Sequence, residues 1–240
     1  MSEFNLEEIY EDNIPNDVII SIEHVASKQD APLCVLGVLN TNRGNMIKRE
    51  LLEWLTPEYD VYCVYQNSPG VLYEYPAIRF AQYLLNKTES NYCLYLHTKG
   101  AANSNTMQIK VRNYWKQEFS GENKTKYIDV VKNNDSVVSC PFEGENGNTW
   151  FNGFFVTRTA INKLGTIQPN KDRYYFERMF KDFKEVKVNG LLLQGVSSFQ
   201  VSAHVHLTMK GVRVPTTPYR FNQNVVKSSR RKIKRRICMY

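Results

Sequence analysis

Tyr92-Cys93-Leu94-Tyr95-Leu96-His97-Thr98-Lys99-Gly100-Ala101 joins an apolar run of strand length directly to a polar end carrying a histidine, a lysine and a glycine. In an open parallel sheet, ligands collect outside the carboxyl ends of the strands. Lys99 offers a compact cation for a phosphate, His97 can donate a hydrogen bond or take a proton, and Gly100 lets the backbone approach a ligand closely. The same residues also read as a solvated loop.

Working outward, the pattern is one of strands alternating with helices. Leu33 to Leu39 is a continuous apolar run that ends in the turn-forming Asn40-Thr41-Asn42-Arg43-Gly44-Asn45, as a buried parallel strand would. Ile47, Leu51, Leu52 and Leu55 recur at helical spacing, and Tyr59 to Val64 is rich in aromatic and β-branched residues, as strands are. Pro76 suits the first turn of the next helix, which leads to the strand at 92–96. This succession predicts an α/β fold with a mostly parallel central sheet flanked by crossover helices.

Further on, helices are expected at 108–119, 124–133, 158–164 and 172–182, and strands at 136–140, 150–156, 191–194 and 201–207. Residues 1–32 read as a polar lead-in, 33–222 as the folded domain and 223–240 as a basic tail. Within the domain, 33–140 and 141–222 form two halves.

The net charge of +7 is accounted for by Lys227, Arg230, Arg231, Lys232, Lys234, Arg235 and Arg236, so the body is neutral. That argues against a nucleic-acid-binding body and for a local adhesive patch. Apolar residues interleave with the cations, a pattern suited to an anionic membrane surface; a solubilising tail or a nonspecific nucleic-acid contact are the alternatives. Cysteines at 34, 63, 93, 140 and 238, odd in number and without Cys-x-x-Cys spacing, read as reduced thiols. No apolar run reaches membrane-spanning length and the acidic N-terminus is unlike a signal peptide, so the expected location is cytoplasmic.

The stretch Tyr92 to Ala101 resembles the Tyr-Leu-His-Thr-Lys-Gly motif of bacterial glycosyltransferases of lipopolysaccharide, capsule and rhamnan-type polysaccharide synthesis. Flanking segments are similar to that family in their order: Gly70 to Pro76, Arg112-Asn113-Tyr114-Trp115, Trp150 to Phe155 and Tyr175-Phe176-Glu177-Arg178. The likeness covers roughly 33–182.

It implies a GT-A-like glycosyltransferase, a single Rossmann-type domain whose N-terminal half takes a nucleotide-diphosphate sugar as donor and whose C-terminal half takes a glycan acceptor. Such folds commonly hold a divalent metal on an Asp-x-Asp motif, which this chain lacks. Lys99 with His97 would then replace the metal's charge on the leaving diphosphate, and no metal or other cofactor is expected. Asn40, Thr41, His97, Lys99, Gly100 and Arg112 are the expected donor contacts.

Glu177, matching a Glu in the family pattern, is the expected general base, alongside His97 as the second catalytic residue; Glu74 is the reserve base and a substrate contact. Trp150, Asn152 and Gly153 are the further expected substrate contacts, the amide beside a glycine suggesting close approach of a ligand. Glu143 with Glu145, and His204 with His206, are weaker metal candidates, read also as a solvated turn and as structural histidines. The expected partners are a lipid-linked glycan acceptor and, through 227–240, the inner face of a membrane; nucleic acid is not expected. The missing Asp-x-Asp keeps an alternative open, a catalytically inactive glycan-binding or scaffold protein of the same fold.

Overall fold

The computed structural model describes residues 4–11, 13–26, 30–68, 72–102, 106–144, 148–172, 174–181, 183–196 and 198–209. Its centre is a seven-stranded sheet: β1 (Ile20–Ala26), β2 (Leu33–Leu39), β3 (Asp60–Gln66), β4 (Tyr92–His97), β5 (Val137–Gly144), β6 (Phe154–Thr157) and β7 (Lys187–Val196). The spatial order is β1-β3-β2-β4-β6-β5-β7. The α/β class is as expected. Five strands share one direction, while β1 and β6 run against their neighbours, so the sheet is mixed.

The direction of β6 has a local cause. Residues 150–156 do not form one strand as expected, because Trp150–Asn152 is a 3-10 turn and only Phe154–Thr157 is extended. A parallel return would need a crossover long enough to carry the chain back along the sheet. The short link after β5 instead turns the chain at the carboxyl edge, and β6 fills the slot between β4 and β5 antiparallel to both.

Helices cover both faces: α1 (Leu6–Tyr10), α2 (Asn42–Leu55), α3 (Tyr75–Lys87), α4 (Thr106–Phe119), α5 (Thr125–Lys132), α6 (Arg158–Asn162), α7 (Tyr175–Arg178) and α8 (Ser198–Thr208). Side chains alternate across a strand, and β2 shows it. Leu33 and Val35 enter one core with Phe80, Leu84 and Leu85 of α3. Cys34, Leu36 and Val38 enter the other with Leu51 of α2 and Val111 and Trp115 of α4. Both faces being covered, every residue of β2 is buried, which is why its sequence is apolar without alternation.

Several expectations are corrected. The lead-in before residue 33 supplies α1 and the edge strand β1, with Ile9 and Tyr10 buried and the Tyr10 hydroxyl donating to the Pro76 carbonyl at 2.9 Å. Residues 201–207 are helical within α8, not a strand, because Val201 and Val205 bury at a spacing of one helical turn. Among the described residues of 172–182, only Tyr175–Arg178 is helical. Cys34, Cys63, Cys93 and Cys140 are free and buried, and burial pushes Cys63 and Cys93 up to about 12. Cys238 and the 227–240 tail lie outside the described residues.

The entry to α2 is tight. Thr41 caps it, its hydroxyl accepting from the Gly44 amide at 3.1 Å. A Cβ on Gly44 would sit 1.8 Å from the Leu39 carbonyl oxygen, a backbone atom that β2 holds in place. Gly44→Ala is therefore expected to destabilise the protein by about 1–3 kcal/mol, as overpacking does. Equilibrium urea unfolding checks this, with Gly121→Ala, where a Cβ meets nothing within 4 Å, as the comparison for backbone strain alone.

Candidate functional site

The chain leaves β2 through α2 to reach β3 on one side, then returns through α3 to place β4 on the other side. Strand order therefore reverses between β2 and β4, and a crevice opens at their carboxyl ends. A cleft of about 980 Å³ lies there. Gly37 and Leu39 of β2, Gln66 of β3 and Tyr95 and His97 of β4 form its floor. Glu74, Lys99, Gly100, Asn148, Trp150 and Glu177 also line it.

Thr98 ties the two strand ends together. Its amide donates to the Gly37 carbonyl at 2.8 Å, and its buried hydroxyl accepts from the Leu39 amide at 3.1 Å. The chain then turns sharply, Ala101 N donating to Thr98 O at 3.0 Å, with Gly100 at φ 93°. Glycine is required there, since a Cβ would also lie 2.8 Å from Gln108 Oε1.

Lys99 projects from this turn and pairs with Glu177, Nζ to Oε1 3.8 Å. Glu177 is carried by α7, a single turn whose position is fixed from below: the Glu177 carbonyl accepts from the amide of the fully buried Thr149 at 2.8 Å. Arg178 and Lys181, on and just beyond α7, add two further cations to the wall. Glu74 enters from the start of α3. It occupies the cap position without a side-chain capping bond, which leaves its carboxyl for the cleft.

Burial raises the Glu74 pKa; Lys99 and the Asn152 side chain oppose that, and the charge of Glu177 adds to it. Burial drives the His97 pKa well below the usual imidazole range, and Lys99 pushes it lower. His97 is thus a neutral imidazole, packed edge-on against Trp115 with ring centroids 5.6 Å apart. A hydrogen bond to the Asn152 backbone partly offsets the shift.

The expected site residues divide. Glu74, His97, Lys99, Gly100, Trp150 and Glu177 come together around the cleft. Asn152 lies behind it, fully buried and at φ 49°, its Oδ1 accepting from the Thr149 hydroxyl at 3.4 Å. Gly153 admits Trp115, not a ligand: a Cβ there would be 2.4 Å from the indole nitrogen.

Arg112 turns away from the cleft. It forms a two-pronged pair with Glu50 at 3.1 Å and donates to the Lys99 carbonyl at 2.7 Å, bracing the turn from behind. Asn40 and Thr41 do not line the cleft either; Asn40 bonds Asn45 and Thr41 is spent on capping α2.

Among the metal candidates, His204 and His206 do not share a face, for His204 packs on Tyr114 and His206 Nδ1 meets Lys110 Nζ at 2.6 Å. Glu143 Oε2 accepts from the Gly190 amide at 3.4 Å, and Glu145 lies outside the described residues. Among the described residues no three His, Cys, Asp or Glu side chains converge as metal ligands would.

Gln66, Thr98, Asn148, Arg178 and Lys181 were not singled out in the sequence, although each is set by an element that was. Gln66 ends β3, two residues past the expected strand, as His97 ends β4. Arg178 closes α7 directly after Glu177, and Lys181 lies in the turn just beyond it.

The raised Glu74 pKa makes a stability prediction. The unfolded carboxyl releases its proton near 4.5, while the folded one holds it to higher pH, so Glu74 costs stability increasingly as pH rises above 4.5. Glu74→Gln is expected to be more stable than the native protein at neutral pH, with the gap closing as pH falls to 4.5. Urea unfolding across a pH series reads the gap directly; a difference that ignores pH contradicts the assignment.

The chain matches no family model, and comparison with curated proteins and with solved structures finds no match.

Proposed function

We propose that this chain is a glycosyltransferase of GT-A-like architecture that moves a sugar from a nucleotide-diphosphate donor to a glycan acceptor. The observation carrying the proposal is the convergence of Lys99, Glu177 and Glu74 in one cleft at the strand-order reversal. Its volume of about 980 Å³ suits a ligand the size of a nucleotide sugar. The resemblance around Tyr92 to Ala101 supplies the reaction class.

In this reading the acceptor hydroxyl oxygen bonds to the anomeric carbon as the bond from that carbon to the diphosphate oxygen breaks. The bonding pair leaves with the diphosphate, and the hydroxyl proton passes to Glu177. Lys99 lies where the growing negative charge needs a fixed cation, with Arg178 and Lys181 on the same wall. Without ligand, Lys99 and Glu177 neutralise each other across 3.8 Å. A bound diphosphate competes for the lysine and leaves the carboxylate as a base.

His97, held neutral, orients by hydrogen bonding without adding charge. Trp150 offers an aromatic face at the wall for a sugar ring.

The acceptor is proposed to be lipid-linked, with the 227–240 tail bringing the enzyme to an anionic membrane surface. Among the described residues no helix is long and apolar enough to cross a membrane. Removing 227–240 is expected to lower association with phosphatidylglycerol vesicles and leave nucleotide binding intact; equal vesicle binding by the truncated chain would end the membrane proposal.

The donor proposal is tested by thermal shift against UDP, GDP and dTDP sugars, since a ligand specific for the folded state raises apparent stability. A response is expected that Lys99→Ala removes and Lys87→Ala keeps. With the responding donor, Glu177→Gln should lower turnover by roughly 10²–10⁴ while retaining donor binding. Donor binding without any turnover by the native protein would favour the inactive glycan-binding alternative.

A further inference from the structure

The cleft presents two different chemistries. Its wall carries the cations Lys99, Arg178 and Lys181. Deeper in, five buried side-chain atoms have no hydrogen-bond partner among the described residues: Gln66 Oε1, Glu74 Oε2, Tyr95 Oη, His97 Nδ1 and Asn148 Oδ1. All five belong to residues that line the same cleft. Buried polar atoms in folded proteins are nearly always satisfied, so a cluster left unsatisfied in one cavity marks where a ligand's own polar groups go.

The kind of atom narrows the ligand. Gln66 Oε1 and Asn148 Oδ1 are acceptors, as is Glu74 Oε2 when ionised. His97 is uncharged, and with Nδ1 unpartnered its bond to the Asn152 backbone falls to Nε2. Nε2 donating to that carbonyl makes Nδ1 an acceptor too. Only the Tyr95 hydroxyl is a fixed donor; the residue is 1% exposed, and its phenol feels the Glu74 charge.

A floor so rich in acceptors suits groups that bring protons to share, which hydroxyls do. It disfavours phosphate or carboxylate, which bring only lone pairs. Two non-glycine residues in the left-handed region, Tyr73 at φ 46° and Asn152 at φ 49°, flank this floor. Tyr73 lines the cleft and its carbonyl accepts from Gln66 Nε2, fixing which end of that amide faces inward. Strained residues of this kind persist where a site needs them.

We propose that Gln66, Glu74, Tyr95, His97 and Asn148 form a subsite for an uncharged, polyhydroxylated ring, and that it rejects a ring bearing a carboxylate. Joined to the transferase reading, on which this step rests, the transferred group is a neutral hexose or deoxyhexose and not a uronic acid. The donor thus spans the cleft with its diphosphate at Lys99 and its ring on the acceptor-rich floor.

The test separates the two claims, because a free nucleoside diphosphate probes the wall and the attached ring probes the floor. Calorimetric titration of the full chain would compare UDP, GDP and dTDP with their neutral-hexose and deoxyhexose conjugates and with UDP-glucuronate and GDP-mannuronate. At least one neutral conjugate is expected to bind about tenfold more tightly than its free nucleotide, and the uronates no more tightly than theirs.

Tyr95→Phe removes only the unpartnered hydroxyl, so it is expected to fold with unchanged or higher stability. It should bind the free nucleotide as the native protein does and lose most of the gain from the neutral ring. A uronate that binds as well as the best neutral sugar overturns the subsite and leaves the transferase reading standing. So does a gain that survives Tyr95→Phe.

If no nucleotide binds, the transferase reading falls, and neutral methyl glycosides then probe the floor by saturation-transfer NMR. A signal lost in Tyr95→Phe upholds the subsite alone; no signal with the native protein overturns it.

Discussion

The hydrogen bonds that Thr98 makes across to β2 hold together everything that gives this cleft its shape. Where strand order reverses, adjacent strands part toward opposite connections, and the parallel ladder of β2 and β4 runs out at Gly37 and His97. Thr98 bonds both the Gly37 carbonyl and the Leu39 amide, so β4 cannot end anywhere else relative to β2. From that anchored end, the turn at Gly100 aims Lys99, and Arg112 holds the Lys99 carbonyl from the far side. The lysine that faces Glu177 is therefore positioned by its backbone, while its flexible side chain makes the final adjustment.

The opposite wall obeys the same logic by different means. α7 is too short to be stable alone, since a single turn cannot recover the entropy of its own nucleation. It is held by the Thr149 bond to the Glu177 carbonyl and by burial of Phe176, Met179 and Phe180 beside it. Thr149 also donates to Asn152, which sits strained in front of β6. The turn that reverses the chain into β6 thus also supports the carboxylate facing Lys99. The antiparallel strand and the site share one cause.

Polar groups in this cleft are retained at some cost to stability. Glu74 is buried against the preference of its charged form, His97 is kept neutral, and several acceptors lack partners among the described residues. Such choices oppose folding and are expected where a ligand completes the hydrogen bonding. Elsewhere, Tyr10, Tyr59 and Tyr127 are as deeply buried as Tyr95, yet each hydroxyl has a partner within the chain. Single unpartnered buried atoms also occur away from the cleft, at Tyr75, Ser139 and Arg158, whereas five of them gather within it.

Local sequence determined the parts of this protein that depend on neighbours along the chain. The buried strands β2, β3 and β4 and helices α2 to α5 were legible because hydrophobic period and length are local properties. So was the meeting of a lysine, a histidine and a glycine at a strand end, which placed His97, Lys99 and Gly100 correctly at the cleft. Tertiary structure alone decided what faces that end. Glu177 and Glu74 reach it because two distant segments dock there, whereas Arg112, much nearer the motif in sequence, is drawn to Glu50 instead. Gly153 looked like room for a ligand, but the space belongs to Trp115, a contact between residues far apart in sequence. Period and composition describe a residue's own element; which neighbour fills the space beside it is set only when those elements pack.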